Sequence, residues 1–453
     1  MLGMVKMLRL GACLRGLLFA AAVGVALPVS AQLRLPGTGG LPNLPRLPTQ
    51  PLGAPLDTRA VERQAEERLR ELRRTTLRAL LADHADVLEA DPAGEPIVRG
   101  ELLLVSPSAA LLTAAQAQGF SLLREQTLDG LDELRSVVLQ APRGRSTVQA
   151  LAALRLLDPS LVIDFNHLYT RSGEVDAAAT SAPAASAPPR SAAKPLRVGL
   201  IDSGVDAAHP ALRDGTLQRW GCEGAVRPSV HGTAVASLLV GRDGRFAGAL
   251  PGATLYAADV YCGQPVGGSA ERVAQALAWM ARERVPVVNV SLVGPTNRLL
   301  EQAVHALAGR GQLVVAAVGN DGPAAPPLYP AAYPDAVGVT GVNSKRRVLP
   351  EAAQGPQVLF AAPGAELAVA ASSDGGYGTA RGTSFAAPVV AGLLAAQLSS
   401  PDAGAARAAV QVLARQAVDL GASGRDPVFG WGLVGETLRT APERVQARAS
   451  VWP

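Results

Sequence analysis

The chain has few cysteines and no marked excess of charge of either sign. Among its 453 residues there are three cysteines, and no two of them form a Cys-x-x-Cys pair. A disulfide-dense scaffold and a structural zinc site of that type are therefore excluded. The 42 basic and 38 acidic residues give a net charge of +4, and the basic residues are scattered among the acidic ones. This distribution excludes a dedicated nucleic-acid-binding protein.

Apolar residues, glycine and proline are abundant instead. The hydrophobic share is 48%, and there are 47 glycines and 35 prolines. So high a hydrophobic share excludes a wholly disordered chain, and so many glycines and prolines exclude an all-helical bundle. The chain is roughly three times the length of a typical domain. It is therefore expected to contain one large domain or several smaller ones, joined by loop-rich stretches.

The N-terminus has the features of a secretory signal. Basic residues precede an apolar run over 16–27, and the small residues Val29, Ser30 and Ala31 follow it. The run has about 12 residues, whereas about 20 are needed to span a bilayer. We therefore predict a signal peptide over 1–31, cleavage near Ala31, and export to the periplasm or the medium without a membrane span.

Removal of this signal would also remove Cys13 and leave Cys222 and Cys262 as an even pair. In an oxidising compartment these two are candidates for a disulfide. Such a bond would close a loop of about 40 residues and contribute about 4 kcal/mol if it acts through chain entropy. The alternative is a pair of reduced, buried cysteines.

Two segments of different composition follow the signal. Prolines alternate with leucines over 32–56, a pattern that favours an extended, polyproline-like spacer. Over 57–92 apolar residues recur at helical spacing, with Asp57 or Thr58 as a cap and Pro92 as a stop. We predict an amphipathic helix there, with a role in packing or self-association.

The next two segments differ sharply from each other. Residues 97–169 alternate short apolar runs with two helical patterns in the order βαββαβ, which predicts a small antiparallel sheet with both helices on one face. Residues 172–195 consist almost wholly of Ala, Ser, Thr and Pro. Such a composition buries too little apolar surface to fold, and it predicts a linker.

From residue 196 to 438 apolar strands alternate with longer helices, and 439–453 form a tail. Near-continuous apolar strands of this kind indicate an α/β fold, a doubly wound and mostly parallel sheet covered by helices on both faces. In such folds the reactive groups gather at the carboxyl ends of the strands. The predicted strands and helices are 197–201, 255–260, 287–291 and 313–318, and 271–284 and 298–310.

Asp202, His231 and Ser384 lie at the ends of predicted strands or the starts of predicted helices. A histidine can take the proton of a serine hydroxyl and make it nucleophilic, while a carboxylate fixes the imidazole tautomer and stabilises the imidazolium that forms. Gly204, Gly232 and Gly382, each within two residues of one of the three, permit tight turns and close approach of the backbone to a substrate. A lone Asp or His of this kind would be structural, but the three together predict nucleophilic catalysis.

The three residues follow one another in the order found in subtilisin-like serine proteases, and the segment 382–388 resembles the sequence around the nucleophile of that family. The resemblance covers about residues 195–438. It implies a subtilisin-like fold and serine endopeptidase activity on protein or peptide substrates. It also implies that Asn320, which follows a predicted strand, forms an oxyanion hole with the backbone N–H of Ser384.

The βαββαβ unit over 97–169 is similar to the inhibitory prodomain of the same family, which serves as a folding template and an intramolecular inhibitor. The chain is therefore expected to be a precursor. We expect it to cleave itself within the 172–195 linker and to release a mature enzyme that starts between about residues 173 and 197.

The resemblance further implies that a substrate binds as an added strand. One edge would be Ser291, Leu292 and Val293, and the other would lie near Gly268. Val293 and Leu328 stand where many family members have glycine, so the pocket for the residue before the cleaved bond is expected to be shallow and to favour small residues such as Ala. A slip of the alignment by one or two residues is the alternative.

No cofactor and no metal is predicted. The segment 241–245 replaces a common calcium loop of the family and offers one carboxylate and two cations, which are poor calcium ligands. Two other functions fit the sequence less well. A non-catalytic binding protein with a degenerate protease fold is disfavoured because all four catalytic positions are filled. A lipase or esterase would need Gly-x-Ser-x-Gly and the order Ser, Asp, His, and neither occurs around Ser384.

Overall fold

A computed structural model of the chain describes residues 58–176, 196–264, 267–371 and 375–445. The predicted signal peptide and spacer lie outside these residues, as do most of the predicted linker and the end of the tail. The helices are α1 (Thr58–Asp83), α2 (Ala109–Ala117), α3 (Thr147–Leu157), α4 (Val230–Val240), α5 (Ala270–Arg282), α6 (Arg298–Gly309), α7 (Thr383–Ala395) and α8 (Ala403–Gln416). The strands are β1 (Leu88–Ala90), β2 (Pro96–Val105), β3 (Ser121–Thr127), β4 (Arg135–Gln140), β5 (Ile163–His167), β6 (Thr170–Arg171), β7 (Glu174–Asp176), β8 (Arg197–Asp202), β9 (Thr216–Trp220), β10 (Thr254–Asp259), β11 (Val287–Val290), β12 (Leu292–Val293), β13 (Leu313–Ala317), β14 (Ala336–Val342), β15 (Val358–Pro363), β16 (Ala365–Ala370) and β17 (Tyr377–Arg381).

Helix α1 is shorter than the sequence predicts. The prediction of a helix over 57–92 is wrong beyond Asp83, because β1 follows and pairs antiparallel with β2. Pro92 lies in the turn between the two strands, where Asp91 Oδ1 accepts hydrogen bonds from the backbone N–H of Ala93 and Glu95, both at 2.8 Å. Asp-Pro-x-Gly is a turn sequence, and the turn supplies the backbone partners that a longer helix would have supplied. In the part of the chain that the structure describes, no helix combines the length and apolar character needed to cross a membrane.

Strands β2 to β5 with α2 and α3 form a small antiparallel unit, called the N-terminal unit below (residues 96–167). Its elements run β2, α2, β3, β4, α3, β5, and β2 lies between β4 and β5. A capping box, in which Ser146 and Gln149 bond each other's backbone N–H, starts α3. One apolar core joins both helices to one face of the sheet. The opposite face of the sheet packs through Leu103, Val105 and Val138 against α5 and α6.

The larger part of the chain is built on seven parallel strands in the order β15, β14, β13, β11, β8, β10, β9. Helices α4, α7 and α8 share one apolar core with the sheet, and α5 and α6 share a second core with it. Because helices cover both faces, the prediction of a doubly wound, parallel α/β sheet is confirmed. The carboxyl ends of three central strands, β8, β11 and β13, meet at one edge of this sheet.

Candidate active site

Asp202 and His231 are in direct contact at the carboxyl edge of the sheet. Asp202 is the last residue of β8 and has no exposed surface. His231 is in the first turn of α4, and its Nδ1 lies 2.9 Å from Oδ1 and 3.0 Å from Oδ2 of Asp202. This places Nδ1–H to donate to the carboxylate and leaves Nε2 as the nitrogen that can take a proton.

Ser203 holds this carboxylate in place, a role that the sequence reasoning missed. Its backbone N–H and its hydroxyl donate to Asp202 Oδ1 at 2.6 and 2.9 Å. The hydroxyl in turn accepts a hydrogen bond from the backbone N–H of Gly232 at 3.2 Å. A Cβ at Gly232 would overlap the carbonyl oxygen of Ser203, so the close approach of α4 to β8 requires glycine there. In the sequence, this role was indicated by a residue with a hydroxyl group directly after the aspartate that ends the strand.

Ser384 is the second residue of α7 and is fully buried. Its hydroxyl donates to the carbonyl oxygen of Ser291 at 3.1 Å and lies 3.0 Å from Oγ of Ser172. His231 Nε2 is buried and has no hydrogen-bond partner among the described residues. The rings of His231 and Phe385, the residue after Ser384, are 5.3 Å apart. The histidine thus lies against the residue that follows Ser384, and the Ser384 hydroxyl bonds to Ser291 and Ser172 rather than to Nε2.

The side chain of Asn320 lies beside the same helix N-terminus. It follows β13, and its Oδ1 accepts a hydrogen bond from the backbone N–H of Thr383 at 3.1 Å. With Oδ1 held in this way, Nδ2 faces the space next to Gly382, 2.8 Å from the place that a Cβ would take there. The Cα of Gly173 is 2.6 Å from the same place. The amide nitrogen of Asn320 is thus a donor directed at the backbone that passes Ser384.

That backbone belongs to the chain itself. Residues 168–176, called the docked segment below, cross the site between two edges of the larger domain. Strand β6 pairs antiparallel with β12, so that Arg171 lies opposite Leu292 and Thr170 opposite Val293. On its other side the segment bonds to Gly268, whose carbonyl oxygen accepts from the N–H of Tyr169 at 2.8 Å. The structure therefore brings Ser291, the β12 residues and Gly268 around one extended stretch of chain.

The docked segment continues past Ser384 on the other side. Strand β7 pairs antiparallel with β17, with Glu174 opposite Arg381 and Asp176 opposite Thr379. The prediction of a linker from residue 172 is therefore wrong at its start, since 172–176 lie in the site. Apart from Val175, their side chains are small or polar, as in a linker, but pairing between strands uses backbone groups and does not depend on that composition. Residues 177–195 lie outside the described residues.

Leu328 lies against the loop that carries Asn320. The Leu328 side chain is 4% exposed. Its Cδ1 lies 2.5 Å from the place that a Cβ would take at Gly319, the residue before Asn320. Val293, in β12, is also buried. Val293 thus lies opposite Thr170 of the docked segment, and Leu328 fills the space beside the loop that carries Asn320.

Cys222 and Cys262 are joined by a disulfide, with Cα atoms 5.1 Å apart. The bond links the loop after β9 to the loop after β10. The second of these loops leads to Gly268, which bonds to the docked segment. Asp259 lies within reach of both sulfur atoms, a combination that a metal ion could use. Because the sulfurs are bonded to each other, they are not available as thiolate ligands.

Comparison with known proteins agrees with this arrangement. Residues 193–432, more than half of the chain, match the profile of a protein family described as "Subtilase family". The chain belongs to the subtilase family. This subtilase is 31% identical over 246 residues to the minor extracellular protease Epr of Bacillus subtilis, a match that covers 53% of this chain and 38% of that protein. It is 36% identical over 208 residues to the M-protease of Shouchella clausii, covering 44% of this chain and 53% of that protein.

The chain spans about half or less of the length of these curated relatives. Among solved structures, the subtilase resembles fervidolysin from Fervidobacterium pennivorans, described as a keratinolytic enzyme related to subtilisin. The TM-score is 0.60 at 18% identity, and the match covers 78% of this chain and 62% of that chain. At this identity the likeness concerns the fold alone. It covers more of the chain than the family profile does, so the similarity of fold extends beyond 193–432.

Proposed function

We propose that this subtilase is a serine endopeptidase made as a precursor that cleaves its own Ser172–Gly173 bond. The observation that carries the proposal is the docked segment, which bonds to β12 on one side and to Gly268 on the other in the way that a substrate strand would. Extending the β6 register by one residue sets Ser172 opposite Ser291, and the Ser172 hydroxyl lies 3.0 Å from that of Ser384. The carbonyl group of Ser172 is then the one that passes the nucleophile.

The reaction follows from the positions of the four polar groups. The Ser384 hydroxyl turns from the Ser291 carbonyl to His231 Nε2, gives up its proton to that nitrogen, and attacks the carbonyl carbon of Ser172. Asp202 stabilises the imidazolium through Nδ1. The oxyanion lies between Asn320 Nδ2 and the backbone N–H of Ser384, at the positive end of α7.

The attack forms a tetrahedral intermediate. Its collapse breaks the Ser172–Gly173 bond, and the amine of Gly173 leaves with the proton from His231. An ester then joins Ser384 to Ser172. Water, deprotonated by the same imidazole, hydrolyses the ester and restores the Ser384 hydroxyl. External protein or peptide substrates would react by the same steps.

We further infer that the residues before Ser172 act as an intramolecular inhibitor. The N-terminal unit packs on α5 and α6, and Arg124 in β3 bonds to the buried carboxylate of Glu271 at 2.7 Å. Helix α1 makes a second contact with the larger domain. Its Arg73 forms ion pairs with Glu95 and with Asp321, the residue after Asn320. These contacts would keep the docked segment in the cleft after the bond is cut.

Export after signal cleavage near Ala31 is part of the same proposal. The Cys222–Cys262 disulfide supports it, because disulfides persist in secreted and periplasmic proteins and are rare in a reducing cytosol.

A fluorophosphonate probe tests the enzymatic proposal directly, because only an activated serine reacts with it. Once the residues before Gly173 have been released from the processed chain, Ser384 is expected to be labelled, as read by mass spectrometry of the tryptic peptide. An Asp202→Asn variant keeps the shape of the carboxylate but disturbs the imidazole tautomer, and its labelling rate is expected to fall by about 10⁴. Absence of labelling in the folded enzyme after release of these residues would favour a binding protein with a protease fold.

Leu328 is expected to restrict the residue before the cleaved bond to small side chains, in keeping with Ser172 at that position. A Leu328→Gly variant should raise kcat/KM for peptides with Phe at this position by about tenfold or more, since apolar pockets discriminate by roughly this much for each added group. Leu328→Ala should give an intermediate value. Peptide-library profiling measures both, with thermal unfolding followed in parallel because Leu328 is buried. A wild-type enzyme that already prefers Phe or Leu would contradict the pocket assignment.

A further inference from the structure

Strand β7 holds the part of the docked segment that follows the proposed cleavage site. Its residues 174–176 pair antiparallel with residues 379–381 of β17, and β17 is itself paired with β16. The Val175 side chain is half-buried and packs against the apolar core that α4, α7 and α8 share with the sheet. The chain after the bond is therefore bound both by its backbone and by a side chain.

The chain before the bond is bound independently of β7. Strand β6 pairs with β12, and the N–H of Tyr169 donates to the carbonyl oxygen of Gly268 at 2.8 Å. The same stretch leads back into the N-terminal unit, which packs on α5 and α6. Cutting the bond removes none of these contacts. The new carboxyl group of Ser172 and the new amine of Gly173 should therefore stay next to each other at Ser384.

Little space is left for water around this bond. Ser172 and Ser384 are buried, and so is His231 Nε2. A Cβ at Gly173 would lie only 2.7 Å from the ring of Phe385, so the ring packs closely on this part of the backbone. Water that hydrolyses the ester takes the place of the leaving amine. While β7 stays on β17, that place is filled by the amine of Gly173.

We propose that this enzyme also forms the Ser172–Gly173 bond again after cutting it, so that cut and uncut chains interconvert while β7 remains on β17. The inference rests on the proposed endopeptidase function and adds peptide-bond formation as a second activity of the same site. Well-oriented groups that are held together can react with effective molarities of about 10⁵ M or more. This offsets the entropy that free fragments gain on separation, which otherwise favours hydrolysis. Departure of β7 from β17 would make the cut permanent.

The reaction is the reverse of the cleavage and needs no other reactant. The Ser384 hydroxyl attacks the protonated carboxyl group of Ser172, His231 transfers the proton to the departing oxygen, and water leaves with formation of the ester. The neutral amine of Gly173 then attacks the ester carbon. Its proton passes through His231 Nε2 to the Ser384 oxygen as the ester bond breaks. The peptide bond and the serine hydroxyl are restored, and one molecule of water is the net product.

The heavy isotope of oxygen provides a direct test on the full chain. The purified wild-type protein is kept in water enriched in this isotope, and the uncut chain is separated on a denaturing gel. Trypsin in ordinary water then releases the peptide 172–190, which follows Arg171 and ends at Arg190, for mass spectrometry. Hydrolysis places the isotope in the carboxyl group of Ser172, and resynthesis carries it into an uncut chain. We expect uncut wild-type chain to gain one heavy oxygen atom in this peptide, and Ser384→Ala to gain none.

Val175→Asp tests the role of β7. A carboxylate at this half-buried position opposes packing on the core and should release the strand. This variant is therefore expected to be cut to completion, with no uncut chain left, and its cutting shows that the site is intact. Val148→Asp makes the same replacement at an exposed position of α3. It is the control and should take up the isotope as the wild type does.

Uncut wild-type chain that persists beside cut chain without the isotope would overturn the inference, while leaving the endopeptidase function intact. Complete cutting of the wild type would also overturn it, as would uptake of the isotope by Val175→Asp to the wild-type extent. A wild-type chain that is never cut would overturn the proposed function, and this inference with it.

Discussion

Replacing Ser384 by alanine is expected to lower kcat for casein or peptide hydrolysis by about 10⁶-fold and to leave the chain uncleaved at Ser172–Gly173. Loss of the serine nucleophile removes the combined contribution of the triad, and what remains is the effect of the oxyanion hole and of binding. The precursor should therefore keep its full length after the signal is removed. Intact mass and N-terminal sequencing of the exported product measure the second effect, and a casein assay measures the first.

Ser160→Ala is the matched control for this variant. Ser160 is an exposed serine whose hydroxyl donates to Asp158, two residues earlier, and its loss should change neither processing nor activity. A wild-type N-terminus on the Ser384→Ala product would show that another protease cuts the precursor. Retained casein hydrolysis would show that another group is the nucleophile.

Replacing Gly173 by proline is expected to stop cleavage between residues 172 and 173 completely. Gly173 has a φ of +130°, which proline cannot adopt because its ring holds φ near −65°. The space is also closed to a side chain, since a Cβ would lie 2.7 Å from the ring of Phe385 and 3.1 Å from the carbonyl oxygen of Arg381. N-terminal sequencing of the product should find no chain that begins at residue 173.

Ser172→Ala is the control for the Gly173→Pro variant. It keeps a small residue before the bond and removes the hydroxyl that lies against Ser384, so processing should continue at the wild-type rate or faster. A product of Gly173→Pro that still begins at residue 173 would mean that the docked segment does not place this bond at the nucleophile. Loss of processing in Ser172→Ala would mean that the contact between the two serines is needed for the reaction.

The sequence by itself determined the fold class and the family of this protein. A near-continuous apolar strand is buried on both sides, which requires helices on both faces of the sheet. The order of apolar runs along the chain therefore predicted the parallel α/β fold. The residues Asp202, His231 and Ser384 could be chosen because nucleophilic chemistry requires those residue types, and each has a glycine within two residues in the sequence. These signals are local, and they can be recognised in a single sequence without information on contacts between residues distant along the chain.

Only the tertiary structure decided what fills the cleft and how each group is held. The stretch after residue 171 has the composition of a linker, yet it pairs with β17, because the hydrogen bonds between strands come from the backbone and leave no mark in the side chains. The burial of Tyr169 depends on Gly294 and Pro295, more than 120 residues away along the chain. The end of α1 at Asp83 was set by a competing strand pair, and the Ser384 hydroxyl bonds to Ser291 because that carbonyl lies within reach. Contacts between residues distant in sequence arise only when the chain has folded, and for this reason the roles of individual atoms had to be taken from the structure.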